Sequence, residues 1–257
     1  MTAQAPIVLH MEGPLAVATL ARAPVNAIDE AWLAHLDDAL AAVERARGAA
    51  ALLLRSTQRI FSAGADLELM RSRFDTPVGR ARMVEFVRDI QRVYARLERL
   101  PQVTIAEIGG AAMGGGFELA LACDLRIAAE DATLGLPEAR LGLLPGAGGT
   151  QRLTRLAGEA TAKRLILGAE TVTGAQAAAL GLVHWAVPAS ELAASAMRIA
   201  SGITALPAAA VAACKRCIHA ALEPGDAGYE MEIAATAELL ASEATQVRVR
   251  QFLAKKR

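Results

Sequence analysis

The amino-acid sequence predicts an α/β fold, and three observations carry that reading. Short apolar runs suited to buried strands recur along the chain: ALLLRS from Ala51, VTIAEI from Val103 and LRIAA from Leu125. Between them lie segments whose apolar residues repeat at helical spacing. Strand and helix signals alternate rather than segregate, as expected where a sheet is connected through helices. Beyond about Pro188 the composition changes to alanine-rich helical segments. The chain is therefore read as a core over residues 1–188 and a helical C-terminal portion over 189–257.

IVLH and PLAVATL flank Glu12-Gly13-Pro14 and predict a β-hairpin. Asp29 is placed as the N-cap of a helix whose buried stripe is Leu33, Leu36, Leu40 and Val43, and Gly48 stops that helix. The strand from Ala51 leads into a turn of small residues, Ser62-Ala63-Gly64-Ala65, with Asp66 set to cap the next helix. Met83, Phe86, Val87, Ile90, Tyr94 and Leu97 draw one apolar stripe on a further helix, which Pro101 ends. The strand from Val103 then precedes three glycines, 114 to 116, at the start of a helix carrying Glu118. LRIAA is the next strand, and Thr133 to Gly135 a short one. Pro207 and Pro224-Gly225 are expected breaks between the C-terminal helices.

A chain of 257 residues, 54% of them hydrophobic, has core enough for one large domain or a domain with an appendage. Its formal net charge is zero, so the chain as a whole has no electrostatic pull toward nucleic acid or anionic membrane. Two Trp, two Tyr and five Phe leave little for a base-stacking surface. No basic segment precedes an apolar stretch at the start, and charges, Gly or Pro interrupt the hydrophobic runs. Neither a signal peptide nor a transmembrane helix is expected.

Cys123, Cys214 and Cys217 are a small, odd set, which suits a reducing compartment; the cytoplasm is the expected location. Cys214-Lys215-Arg216-Cys217 has CxxC spacing, with His219 nearby. A structural zinc would need a second cysteine pair or further histidine ligands, so no metal is expected. The segment AAAVAACKRCIHAAL reads as a helix carrying both thiols along one side.

Two stretches about fifty residues apart bear on chemistry. FSAGADLELM from Phe61 and AAMGGGFELALACDLRIA from Ala111 each place sharply turning backbone directly ahead of a helix, where an N–H can be aimed at an anion. Alone, the first reads as a plain strand-to-helix connection and the second as close helix packing. Together, amides near Ala63 and Gly115 are candidate donors to an oxygen that becomes negative during a reaction. Glycines inside a helix cost roughly 1 kcal/mol each relative to alanine, so three at its start suggest close backbone approach to a ligand.

Glu118 lies one turn into that helix, and Glu138 follows in LGLPEARLG. On spacing alone each is more simply a surface charge or ion-pair partner. Partial burial would raise both pKa values and ease proton exchange near neutral pH. Two donors and two carboxylates suit chemistry beside a carbonyl, in which a proton moves at the α-carbon while the oxygen holds charge.

The segments Phe61 to Asp66, GGGFELALACD from Gly114 and LGLPEARLGLLPGAGGTQRL from Leu134 resemble the enoyl-CoA hydratase (crotonase) family, in order and at family-like separations. The resemblance implies a crotonase-like right-handed spiral of β-β-α units, its C-terminal helices hooked over the active site or a neighbouring subunit. It implies an enoyl-CoA hydratase that reversibly adds water to a 2-enoyl-CoA, giving a 3-hydroxyacyl-CoA. The acyl-CoA thioester is the partner, and no separate cofactor is implied because coenzyme A is part of the substrate. By resemblance, the N–H groups of Ala63 and Gly115 hold the thioester oxygen, and Ala63, Gly64, Ala65, Asp66, Leu67 and Gly115 contact substrate and coenzyme A. Glu118 takes a proton from the adding water, and Glu138 delivers one to the α-carbon.

A homotrimer, or a hexamer of two trimers, is likewise implied. The alternatives are a 3,2-enoyl-CoA isomerase, which needs the two donors and one carboxylate, and a non-catalytic acyl-CoA-binding or RNA-binding relative. RAPVN from Arg22 lacks the lysine often found there in the family, leaving Arg22 as the substitute phosphate contact. Val247 and Arg248 stand where relatives often have Glu-Gly, and Lys255 or Lys256 is the remaining candidate for the phosphates.

Overall fold

The computed structural model describes residues 5–221 and 227–254. The expected break at Pro224-Gly225 and the basic pair Lys255 and Lys256 lie outside the described residues. Strands β1 (Ile7–Glu12) and β2 (Leu15–Leu20) form the expected hairpin. Asp29 accepts the Trp32 N–H at 2.8 Å and so caps α1 (Glu30–Arg45), which buries Leu33, Leu36, Leu40 and Val43.

Strands β3 (Ala51–Ser56), β4 (Val103–Ile108), β6 (Leu125–Ala129) and β9 (Trp185–Val187) extend β2 in parallel. The large sheet thus has the order β1-β2-β3-β4-β6-β9. The short strands β5 (Ala112–Met113), β7 (Thr133–Gly135) and β8 (Thr171–Thr173) build a second sheet.

The chain winds between these sheets as a spiral. β4 lies in the large sheet and β5 in the small one; β6 and β7 repeat the step, with β5 and β7 parallel. After β3, Ser62 makes a parallel bridge to Ala112 and so plays the same part for the turn before. Each small-sheet segment runs on into a helical turn. Ser62 leads to α2 (Leu67–Arg71), β5 to α4 (Gly115–Leu121), and β7 to the 3₁₀ turn Pro137–Leu141 ahead of α5 (Gly149–Leu167). Between α2 and β4, α3 (Pro77–Arg99) packs Phe86, Ile90, Val93, Tyr94 and Leu97 into the core.

Elements between Gly149 and Val187 carry no clear sequence signal. β8 and β9 are three residues each, too short to show alternation. α5 is interrupted by the positive φ of Gly158. α6 (Gly174–Ala179) is a six-residue helix held by a capping box of Thr173 and Gln176.

Past Pro188 the described residues form, as expected, mainly helices: α7 (Leu192–Thr204), α8 (Ala208–Ala220), α9 (Ala227–Ala241) and α10 (Glu243–Ala254). The first of these belongs to the sheet's packing. Leu192, Ala196 and Ala200 are buried, and α7 packs on β2, β3, β4 and β6. α9 packs on α8 and α10 on α9, yet Tyr229, Ile233, Leu240, Val249 and Leu253 remain exposed. Cys214 and Cys217 sit on α8, the first exposed and the second half-buried.

Helix α8 is tied to the core by a buried cation. Lys215 Nζ donates to Asp124 at 2.7 Å and to the Gln102 carbonyl at 3.0 Å, and Asp124 also accepts from the Thr104 amide and hydroxyl. Removing the anion strands an ammonium that is only 9% exposed. Asp124→Ala should therefore lower the unfolding free energy in urea by about 3 kcal/mol, and Lys215→Met, which keeps much of the stem's packing, by less.

Candidate active site

Three successive turns of the spiral deliver the candidate residues to one place. The first is the turn after Phe61, which lies alongside the segment from Val25 to Ile28. Ala63 N–H donates to the Val25 carbonyl at 2.9 Å, Ile28 N–H to Gly64 O at 2.9 Å, and Asp66 N–H to Ile28 O at 2.9 Å. Gly64 N–H donates to the Ser62 hydroxyl. The amide left without a partner in this stretch, among the described residues, is that of Ala65, and it faces the second turn: a Cβ built on Gly115 would lie 3.6 Å from Ala65 N.

This corrects the assignment of Ala63 as a donor. Its amide is committed to Val25, because donors alternate sides along a paired extended segment. Ala65 takes its place opposite Gly115, whose N–H opens α4 and has no partner within the described residues. The two turns approach so closely that a Cβ on Gly64 (φ +89°) would lie 2.7 Å from Met113 O and 3.0 Å from Gly115 N. Only glycine satisfies both that φ and that gap.

Glu118 is 2% exposed and lies beside Phe117 and Leu119 on α4. Its Oε1 accepts the Gly149 N–H at 2.7 Å, at the N-terminus of α5. Burial pushes the Glu118 carboxyl up to about 7. The Gly149 amide opposes that shift, the Glu138 charge adds to it, and the Ala147 amide and Arg152 oppose it.

Glu138 stands on the 3₁₀ turn begun by Pro137. Its Oε1 lies against the glycine turn, where a Cβ on Gly114 would come within 2.8 Å, and burial raises its pKa too. Its Oε2 is buried and has no hydrogen-bond partner among the described residues.

Ala63, Ala65, Leu67, Gly115, Glu118 and Glu138 all line a cavity of roughly 430 Å³. The rest of its wall is mostly apolar, with Met83, Val87 and Ile90 of α3 and Leu141, Leu143 and Leu144 after the 3₁₀ turn, and Arg140 is its one further charged group among the described residues. Asp66 accepts the Glu68 and Leu69 amides and caps α2. Arg22, the substitute phosphate contact, is occupied: it pairs with Asp29 at 2.7 Å and Asp66 at 3.1 Å. A larger cavity of roughly 570 Å³ beside α8 contains none of the candidate residues.

Glu118 at the mouth of α5, with two unpaired amides beside it, is therefore a built site rather than a surface charge. Comparison with known proteins identifies its kind, since the enoyl-CoA hydratase/isomerase family matches residues 10–257. The chain belongs to this family. The short-chain-enoyl-CoA hydratase of Clostridium acetobutylicum is 35% identical over 254 residues, covering 98% of this chain and 95% of that one. Enoyl-CoA hydratase domain-containing protein 2, mitochondrial, of Bos taurus is 45% identical over 167 residues, 65% of this chain; the match spans 55% of that relative's length. The crystal structure of an enoyl-CoA hydratase from Bacillus anthracis superposes with a TM-score of 0.90 at 33% identity, covering 97% of this chain and 96% of that one. The α/β spiral with its helical C-terminal part is thus the crotonase fold.

Three contributors to the candidate site's geometry carry no role that the sequence alone assigns. Tyr94 reads as part of an apolar stripe, yet its hydroxyl donates to Gly115 O at 2.9 Å. Asn26 is fully buried and donates to Ser56 Oγ and Phe61 O, fixing the first turn from behind. Gly149 lies in the PGAGGTQRL segment, but only the fold brings its amide to Glu118.

The raised carboxyl has a consequence for stability. An unfolded glutamate titrates near 4.5, whereas folded Glu118 titrates near 7, so between these values the folded state holds more protons. Stability contributed by this group is present below about pH 4.5 and is lost as pH rises toward 7, by up to about 3 kcal/mol. Glu138 acts with the same sign. Urea unfolding between pH 4.5 and 8 should show this decline, and Glu118→Gln should flatten it.

Proposed function

We propose that the protein is an enoyl-CoA hydratase, adding water reversibly across the double bond of a 2-enoyl-CoA. The observation that carries this reading is the pair of buried carboxyl groups, Glu118 and Glu138, in one cavity with the unpaired amides of Ala65 and Gly115. Water oxygen bonds to the β-carbon while its proton passes to ionised Glu118. The electron pair of the double bond moves toward the thioester oxygen, which the Ala65 and Gly115 amides hold as it becomes negative.

Glu138 then gives a proton to the α-carbon, a role that burial favours by raising its pKa. Exchange with solvent removes the proton from Glu118 and restores one to Glu138, so one water is added per turnover. With a pKa of about 7, Glu118 is substantially ionised at neutral pH and still basic enough to accept a proton. Moving a double bond needs one such carboxyl, and the second buried group favours hydration over isomerisation. The cycle calls for no cofactor, and coenzyme A serves as the handle that positions the reacting carbons, with Leu67 in the cavity wall.

We also propose a homotrimer or a hexamer of two trimers, supported by the exposed apolar residues of α9 and α10, which need a partner surface. Light scattering at micromolar concentrations should give at least three times the chain mass; a monomeric mass would overturn the proposal.

The reaction is tested with crotonyl-CoA, by following loss of the conjugated thioester absorbance. Glu118→Gln and Glu138→Gln should each slow hydration by roughly 10² to 10⁴. Exchange of the α-proton of a saturated acyl-CoA with deuterated solvent should suffer more in Glu138→Gln. Near-normal hydration by either variant, folded and still binding acyl-CoA, would refute the two-carboxyl mechanism.

A further inference from the structure

The turn that presents two amides to Glu118 is gripped from behind by a residue outside the proposed chemistry. Arg152, in the first turn of α5, donates from Nη1 to the Ala147 carbonyl at 3.0 Å. Its guanidinium lies across Gly148, where a Cβ would collide with it. The same guanidinium donates from Nε and Nη2 to Glu98 Oε2, at 3.2 and 2.9 Å, and Arg152 is only 11% exposed. On the other side of this turn, Gly149 donates to Glu118, and the Ala147 amide acts on the carboxyl in the same direction.

Glu98 belongs to a row on α3. Gln91, Tyr94 and Glu98 are spaced three and four residues apart and so share one helix face. Gln91 Nε2 donates to Gly146 O at 2.6 Å, Tyr94 donates to Gly115 O at 2.9 Å, and Glu98 holds Arg152. One rigid helix face thus fastens both the turn holding the Gly115 amide and the turn that holds Glu118.

We propose that Arg152, anchored by Glu98, is the positioning residue of Glu118: it fixes the Ala147 to Gly149 turn so that its amides stay on the carboxylate. Arg152 touches neither substrate nor reacting atoms in this scheme. The titratable or charged groups acting on Glu118 are Glu138 from the 3₁₀ turn, which raises its pKa, Arg152 from α5, which lowers it, and Tyr94 from α3, itself pushed well up by burial and so neutral. Burial alone would hold Glu118 protonated at neutral pH, and the turn and Arg152 are what oppose it. This role rests on the proposed use of Glu118 as the base.

The test reads Glu118 directly. Carbon NMR of protein labelled at the glutamate carboxyls, with the resonance assigned by its loss in Glu118→Gln, gives the titration midpoint without any reaction. Arg152→Met should raise that midpoint by about one pH unit, and Arg152→Lys, which keeps the charge but not the two-sided grip, by less. Glu98→Gln is the milder variant should Arg152→Met fail to fold, and it should move the midpoint in the same direction. Combined with Arg152→Met it should add nothing further, because Glu98 acts through Arg152.

The low-pH limb of kcat/KM for crotonyl-CoA should follow the midpoint upward. An unchanged midpoint in folded Arg152→Met or Glu98→Gln overturns the proposal. A parent protein that does not hydrate crotonyl-CoA, yet shows the shifted midpoint, overturns the hydratase reading and leaves the positioning role standing.

Discussion

The site depends on three backbone segments lying side by side in the small sheet. Ser62 bridges to Ala112, Ala112 pairs with Leu134, and Met113 pairs with Gly135. Adjacent strands stand about 4.8 Å apart, so the residues just beyond each segment emerge within a few ångströms of their neighbours. Those residues carry, in order, the Ala65 amide, the Gly115 amide with Glu118, and Glu138. Residues about fifty and twenty positions apart are thereby collected by main-chain pairing alone. No side chain has to reach far, and the donors are peptide groups whose positions are set by the sheet.

That closeness excludes side chains. A Cβ on Gly116 would lie 2.5 Å from Ser62 O, and one on Gly149 would lie 2.8 Å from Glu118 Oε1. The small residues of both motifs are therefore a packing requirement before they are a chemical one. The same compression draws two carboxyl groups out of water, which costs folding free energy and lifts their pKa values. The opposing contributions at Glu118 come from the turn into α5, where the Gly149 and Ala147 amides and the Arg152 charge favour the ionised form. A balance between desolvation and a helix N-terminus sets the carboxyl near neutrality, and neither would do so alone.

Much of the fold was legible because its strongest signals are local. The stripes of α1 and α3, the Asp29 cap, the runs of β3, β4 and β6 and the glycines before α4 are each contained in a short window. The stretch from Gly149 to Val187 was not legible, since strands of three residues and a helix broken at Gly158 carry no period. The placement of α7 on the sheet is a tertiary fact: an alanine-rich helix that packs on β4 reads the same as one that awaits a partner.

The grouping of the candidate residues was legible, apart from which amide of the first turn is free, and that difference has a structural cause. Glu118, Glu138 and Gly115 stand where the motifs suggest, but Ala63 and Ala65 occupy the same small-residue turn and differ only in which way their amides point. That direction is fixed by the segment from Val25 to Ile28, which takes the Ala63 N–H and leaves Ala65 free. A motif records which backbone can turn sharply. It cannot record which amide a distant segment has already claimed, and here that prior claim decides which amide faces the cavity.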